Sequence, residues 1–229
     1  MALRTEPEAF DRIVRRPGLS DMAELVGEDP LPGQGRMNPD ETFPDRESIP
    51  GRHLRSHWRR ARNDLLRTYD QTCAFSGLRV STPCPPTDDH RLTIDHMVPK
   101  SKNWRLVYEW SNLRLACKIL NHRKGDSEDV LDPFEVDANG EAWFHMEPVE
   151  FRLFPNPNLN PCLQARIKAT ISRLDLNGPA WLSAREVHFT RFKTHGRLRQ
   201  VERAFPYVAR EIRRLGTEST PPPEVSSDA

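Results

Sequence analysis

The stretch that most limits what this chain can fold into runs from Arg91 to Asp126. "RLTIDH" (91–96) alternates apolar and polar residues, with Leu92 and Ile94 on one side, which is the period of a half-buried strand. "NLRLA" (112–116) alternates in the same way, and "KILNHRKGD" after it fits a helix that stops at Gly125. One helix across 111–124 fits the spacing of Leu113, Ala116, Cys117 and Leu120 as well, and periodicity leaves both readings open. Pro99 demands a turn just after the first stretch, so Asp95 and His96 stand where a strand ends and the chain bends.

That pair has a definite chemical meaning. Hydrolysis of a phosphodiester near neutral pH needs a base for water, a cation on the phosphate, and a fixed placement of both. A neutral imidazole suits the first task, since its ordinary pKa of about 6.5 lies near working pH. A carboxylate suits the second, because Mg²⁺ prefers hard oxygen ligands and keeps several waters. Taken alone, an Asp-His pair is uninformative. The ordered set Asp95-His96, Pro99, Asn112-Leu113, Cys117 and Asn121-x-x-Lys124-Gly125-Asp126 is far more restrictive.

Over residues 73–126 that set resembles the HNH endonuclease family, whose motif runs roughly DH-x-x-P, NL, then CN-x-x-K-G. The resemblance implies a ββα-metal core of two strands and a helix around one divalent cation, Mg²⁺ or Mn²⁺. It implies that His96 is the general base, Asp95 a metal ligand, and Asn112 the residue that orders the loop and orients His96. Asn121 falls where the family uses His or Asn as a metal ligand. Neighbours on a helix point about 100° apart, so Asn121 and His122 do not readily share an ion. Asn121 is taken as the ligand, with His122 facing solvent or DNA.

Many relatives also carry two Cys-x-x-Cys knuckles for structural zinc. Here they read Cys73-Ala-Phe-Ser76 and Cys117-Lys-Ile-Leu120, so both second cysteines are missing. Two thiolates do not close a tetrahedral site. Structural Zn²⁺ is therefore not expected unless Cys84 or His90 substitutes, and Phe75 and Leu120 suggest apolar packing in its place. Four cysteines in 229 residues are too sparse for a disulfide scaffold.

Charge is informative through its distribution, because the net value is only +1. Residues 1–50 carry eleven acids against six bases, whereas 52–67 carry six arginines against one acid. Arginine supplies 28 of the 34 basic residues, and its planar fork suits phosphate. Codon usage explains the ratio equally well but not the clustering. The stretch Arg55–Arg67, which takes in most of the helix expected from His57 to about Tyr69, offers Arg55, Arg59 and Arg62 as duplex contacts through phosphates, or else as a solvated face. Lys100, Arg123 and Lys124 join them from the motif.

The flanks "HWRRARNDLLRTYDQTCAFSG", "DVLDPFEV" and "ATISRLDLNGPAWLSAREVHFTRF" look similar to PtuB-like HNH nucleases of Septu and retron-associated bacterial defence systems. That likeness implies an antiviral role and a partner ATPase subunit, and a homo-oligomer is the alternative partner. The expected organisation is an acidic Pro/Gly-rich arm (1–50), with short helices near 7–15 and 19–26, and then an HNH core with a basic helix (51–150). A C-terminal helical layer (151–216) and a disordered tail (217–229) follow. "FEVDANGEAWFHM" reads as a hairpin turning at Asn139-Gly140, and helices are expected near 162–175, 180–203 and 207–215. The fold class is α+β, an HNH core wrapped by N- and C-terminal helices with an extra hairpin. No stretch reaches the roughly 18 apolar residues of a membrane span and the first residues lack a signal-peptide core, so a cytoplasmic DNA endonuclease is expected. A ribonuclease, or an impaired HNH scaffold acting as a nucleic-acid-binding or adaptor module, stays open.

Overall fold

The computed structural model describes residues 4–80, 88–135 and 142–216. Cys84, the turn at Asn139-Gly140 and the tail 217–229 lie outside them. Among the described residues seven α-helices and two small antiparallel sheets alternate along the chain. None of these helices is long and apolar enough to cross a membrane. The chain divides into two compact units, Met1–Gln71 with Leu92–Glu128, and Thr72–Arg91 with Asp129–Ala229.

The first unit holds the strand–loop–strand–helix. Strand β1 (Leu92–His96) pairs antiparallel with β2 (Leu113–Cys117), in a register from Leu92↔Cys117 to His96↔Leu113. This pairing rules out the single-helix reading of 111–124. Every residue of β2 is buried, which is why its alternation in sequence is weaker than that of β1. Helix α3 (Lys118–Lys124) follows without a break and ends at Gly125, whose φ of 52° favours a residue without Cβ.

The N-terminal region forms one helical run where the sequence suggests two. A π-helical turn (Asp11–Arg15) leads into α1 (Arg16–Leu25), and Pro17, which has no N–H to donate, sits just after the π turn. Phe10, Val14 and Met22 are fully buried. The irregular chain after α1 is tied back to it by polar groups. The Glu24 carboxylate accepts from the backbone N–H of Met37 at 2.7 Å and of Asn38 at 3.1 Å, and Ser20 Oγ accepts from Leu31 N at 3.0 Å. Arg15 bridges Glu6, Asp11 and Glu109, the last of these in the β1–β2 loop. A 3₁₀ turn (His57–Ala61) then runs into α2 (Arg62–Thr68), and Arg62 donates to the Leu92 carbonyl at 3.0 Å.

In the second unit β3 (Phe144–Met146) pairs forward with β4 (Leu153–Pro155). This hairpin turns through Glu147–Arg152, while the turn of the hairpin expected over 134–146 lies outside the described residues. There the Glu147 carboxylate accepts from Val149 N at 2.9 Å. Helices α4 (Pro161–Leu174), α5 (Pro179–His195), α6 (Leu198–Ala204) and α7 (Pro206–Arg214) complete the unit. The single helix expected over 180–203 is broken at Gly196, a left-handed cap with φ 64°. Asn177 clips both backbone groups of Leu153, at 2.7 and 2.9 Å, and joins the α4–α5 turn to β4.

Gly18 is the tightest point of the first unit, since a Cβ there would stand 2.4 Å from the Tyr108 ring. Tyr108 cannot yield easily, because it is buried and its hydroxyl donates to the Arg55 carbonyl at 2.8 Å. Gly18→Ala is expected to lose about 1–3 kcal/mol of stability, seen as a lower urea midpoint. An unchanged midpoint would show that α1 and Tyr108 can part without cost.

Candidate active site

At the end of β1 consecutive side chains take opposite directions, as strand geometry requires. Thr93 and Asp95 share one side of β1, and His96 takes the other.

His96 is held by a backbone group. Its Nε2 lies 2.9 Å from the Val107 carbonyl oxygen, which can only accept, so Nε2 carries the proton. The lone pair then sits on Nδ1, which makes no hydrogen bond among the described residues. Burial pushes the imidazole down to about 4 and thus favours its neutral form. The indole of Trp58 meets the His96 ring edge-on, with centroids 4.8 Å apart and planes 86° apart. Lys100 places its ammonium 4.6 Å from the centre of the same indole.

Val107 belongs to the loop between the strands, and Asn112 fixes that loop. Its Oδ1 accepts from Val98 N at 2.7 Å, and its Nδ2 donates to the carbonyls of Val98 and Leu106, each at 3.0 Å. A Met97 N–H to Asn112 carbonyl bond at 2.8 Å closes the neck of the loop. Asn112 touches the site only through this backbone, and Leu106 is the residue before the carbonyl that His96 uses.

On the other side of β1, Asp95 is 4 % exposed and the ammonium of Lys124 stands 3.4 Å from each of its oxygens. Lys124 itself is fully buried and donates to the His96 carbonyl at 2.7 Å. Expected among the nucleic-acid contacts, Lys124 instead points inward, because α3 packs this face on β1. Burial raises the Asp95 carboxyl to about 7, against the opposing pull of Lys124 and Arg114. Asp95 Oδ2 is buried without a hydrogen-bond partner.

Asn121 reaches the same side of β1. Its Nδ2 donates to Thr93 Oγ1 at 3.0 Å and to the Ile94 carbonyl at 3.2 Å. Thr93 Oγ1 donates its own proton to the Ala116 carbonyl at 3.1 Å, so both partners of Asn121 must accept. The amide orientation follows from this, and Oδ1 is the atom turned away from the strand. His122, the next residue, is exposed. A carboxylate oxygen that takes no hydrogen bond and an amide oxygen on one side of β1 have the chemistry to suit a hard divalent cation that keeps most of its water.

The basic residues differ in exposure. Arg55 and Arg59 are exposed, and Arg123 is half-buried. Arg62 is half-buried and partly engaged with Leu92. The ammonium of Lys100 is lowered chiefly by burial, with Asp126 opposing and Arg59 assisting. The remnants of the knuckles fall in different units: Cys117 and Leu120 are buried in the first, and Cys73 and Phe75 are buried in the second. Among the described residues no three His, Cys, Asp or Glu side chains gather into a metal cluster.

Two partners of His96 escape the sequence reading. The Val107 carbonyl is a backbone group and leaves no mark in the residue pattern. Trp58 shows only as one apolar position of the helical stretch 57–69.

Residues 73–127 match the family model described as HNH endonuclease. No curated protein matches the chain. The matched segment takes in Asp95, His96, Asn112, Asn121 and Lys124, and it leaves Trp58 outside. The described helices and two small sheets make the fold α+β, consistent with an HNH fold, and residues 73–127 are similar to the HNH endonuclease family.

Proposed function

We propose that this protein is a divalent-metal-dependent endonuclease that hydrolyses DNA, with His96 as general base and Asp95 and Asn121 as the protein ligands of Mg²⁺ or Mn²⁺. The observation that carries the reading is the fixed tautomer of His96, whose Nε2–H is committed to the Val107 carbonyl and whose Nδ1 is left basic. An imidazole kept only for packing would have no need of a loop clamped at Val98 and Leu106.

In this mechanism Nδ1 of His96 takes a proton from water as the water attacks phosphorus. The Val107 carbonyl stabilises the imidazolium that forms at that moment, since it accepts from the opposite nitrogen. Asn112 acts through the loop and holds that carbonyl in place. A divalent cation on Asp95 and Asn121 would neutralise charge on the phosphate and on the departing oxygen. Lys124 aligns Asp95 and the His96 carbonyl from inside the fold, a positioning task. Arg55, Arg59, Arg62, Lys100 and Arg123 approach the duplex through its phosphates. An antiviral role with an ATPase partner draws its support from the flank resemblance alone.

Plasmid nicking with and without Mg²⁺ tests this reading. His96→Ala is expected to lose ~100-fold or more of the cleavage rate, and full activity in that variant would refute the mechanism. Asp95→Ala and Asn121→Ala are expected to raise the metal concentration for half-maximal rate by ~10-fold or more, whereas His122→Ala leaves it unchanged. An inactive His122→Ala beside an active Asn121→Ala would reverse the ligand assignment. Removal of Arg59 should reduce the slope of log affinity against log salt by about 1, and an unchanged slope would mean that Arg59 touches no phosphate.

A further inference from the structure

Among the described residues His96 makes one hydrogen bond to the protein, and one hydrogen bond does not fix a ring. A modest rotation about Cβ–Cγ moves Nε2 little, because it lies near that axis, while it tilts the ring plane and swings Nδ1 further. A base must hold its lone pair on the attacking water, and an error of about 1 Å in such a placement can cost ~100-fold in rate. Something else must therefore fix the imidazole plane.

Trp58 meets the geometric requirement. Its ring stands at 86° to the imidazole, with centroids 4.8 Å apart, which is a favoured edge-to-face arrangement. Both rings are about nine-tenths buried, so the contact is part of the packing. Trp58 is in turn braced by Tyr108, at 5.8 Å between centroids, and Tyr108 follows directly on Val107 in the loop. The residue that accepts from His96 and the residue that braces its indole partner are thus neighbours in the chain. Lys100 lies over the same indole at 4.6 Å, so one side chain touches both the base and a cation from the Pro99 turn.

We propose that Trp58 is a positioning residue for the reaction, which locks the plane of His96 so that Nδ1 faces the scissile phosphate, and which seats Lys100 beside it to receive that phosphate. This rests on the nuclease reading for its chemistry, though not for its geometry. Trp58 lies in the 3₁₀ turn before the motif, outside the segment matched by the family. The site is on this account completed by a residue from the N-terminal flank.

The test compares Trp58→Leu, which keeps an apolar filling, with Trp58→Phe, which keeps an aromatic edge, in the full chain with both variants checked for folding by thermal melting. With plasmid DNA and saturating Mg²⁺, Trp58→Leu is expected to lower kcat by ~10-fold or more, with a smaller rise in KM from the loss of the Lys100 seat. Trp58→Phe is expected to recover most of the fall in kcat. A change confined to KM, or equal kcat for wild type and Trp58→Leu, would overturn the proposal. The second readout needs no activity: ¹⁵N–¹H correlation of the histidine rings, with His96 assigned by its loss in His96→Gln. Wild-type His96 should show one Nε2–H form, and Trp58→Leu should broaden it or mix the tautomers. Identical ring signals in the two proteins would overturn the positioning role whatever the activity. A wild type that cuts no DNA, while its His96 signals still respond to Trp58→Leu, would refute the nuclease reading and leave the positioning role standing.

Discussion

A single hydrogen bond organises the first unit, from His96 Nε2 to the Val107 carbonyl. Its acceptor belongs to a loop, and loops hold a carbonyl in place only if their own backbone is secured. Asn112 supplies that security with three bonds to Val98 and Leu106, and the β1–β2 pairing closes the loop at His96↔Leu113. The far side of the loop is carried by aromatic side chains. Tyr108 packs against Gly18 of α1 and bonds to the Arg55 carbonyl, while Trp110 meets Phe10 edge-on at 5.5 Å and donates to the Arg4 carbonyl. The N-terminal helices therefore act as the wall against which the loop is set.

Electrostatics on the other face of β1 follow from the same packing. Laying α3 on β1 buries Asp95, and a buried carboxylate needs positive partners. Lys124 provides one at 3.4 Å, longer than a strong charge-assisted bond, and its best bond goes to the His96 carbonyl instead. Asp95 Oδ2 takes no hydrogen bond and has the same ammonium at 3.4 Å, so the carboxylate keeps acceptor capacity on this side of β1.

Much of this was legible in the sequence, but unevenly. Strand, loop, strand and helix could be read because Leu92, Ile94, Leu113 and Leu115 keep the period of a sheet, and Gly125 marks the stop of α3. Asn112 could be named from its motif position, yet its work is done by backbone groups that no residue pattern records. Lys124 has the residue type of a phosphate contact, and only tertiary packing turns it inward. Residues 1–50 read as an arm because they are acidic and rich in proline. Several of their apolar residues, Phe10, Val14, Met22, Leu25 and Ile49 among them, are buried, and Glu24 and Ser20 tie the following chain to α1 through hydrogen bonds that composition does not reveal. Trp58, whose ring meets His96 edge-on, reads in the sequence only as one more core position.

The central claim is that the side of β1 shared by Asp95 and Asn121 takes the cation while His122 stands apart from it. Anomalous diffraction from crystals soaked in Mn²⁺ measures this directly. The account predicts one peak within bonding distance of Asp95 and Asn121, with His122 outside its coordination sphere. A peak on His122 with none at Asp95 would contradict it.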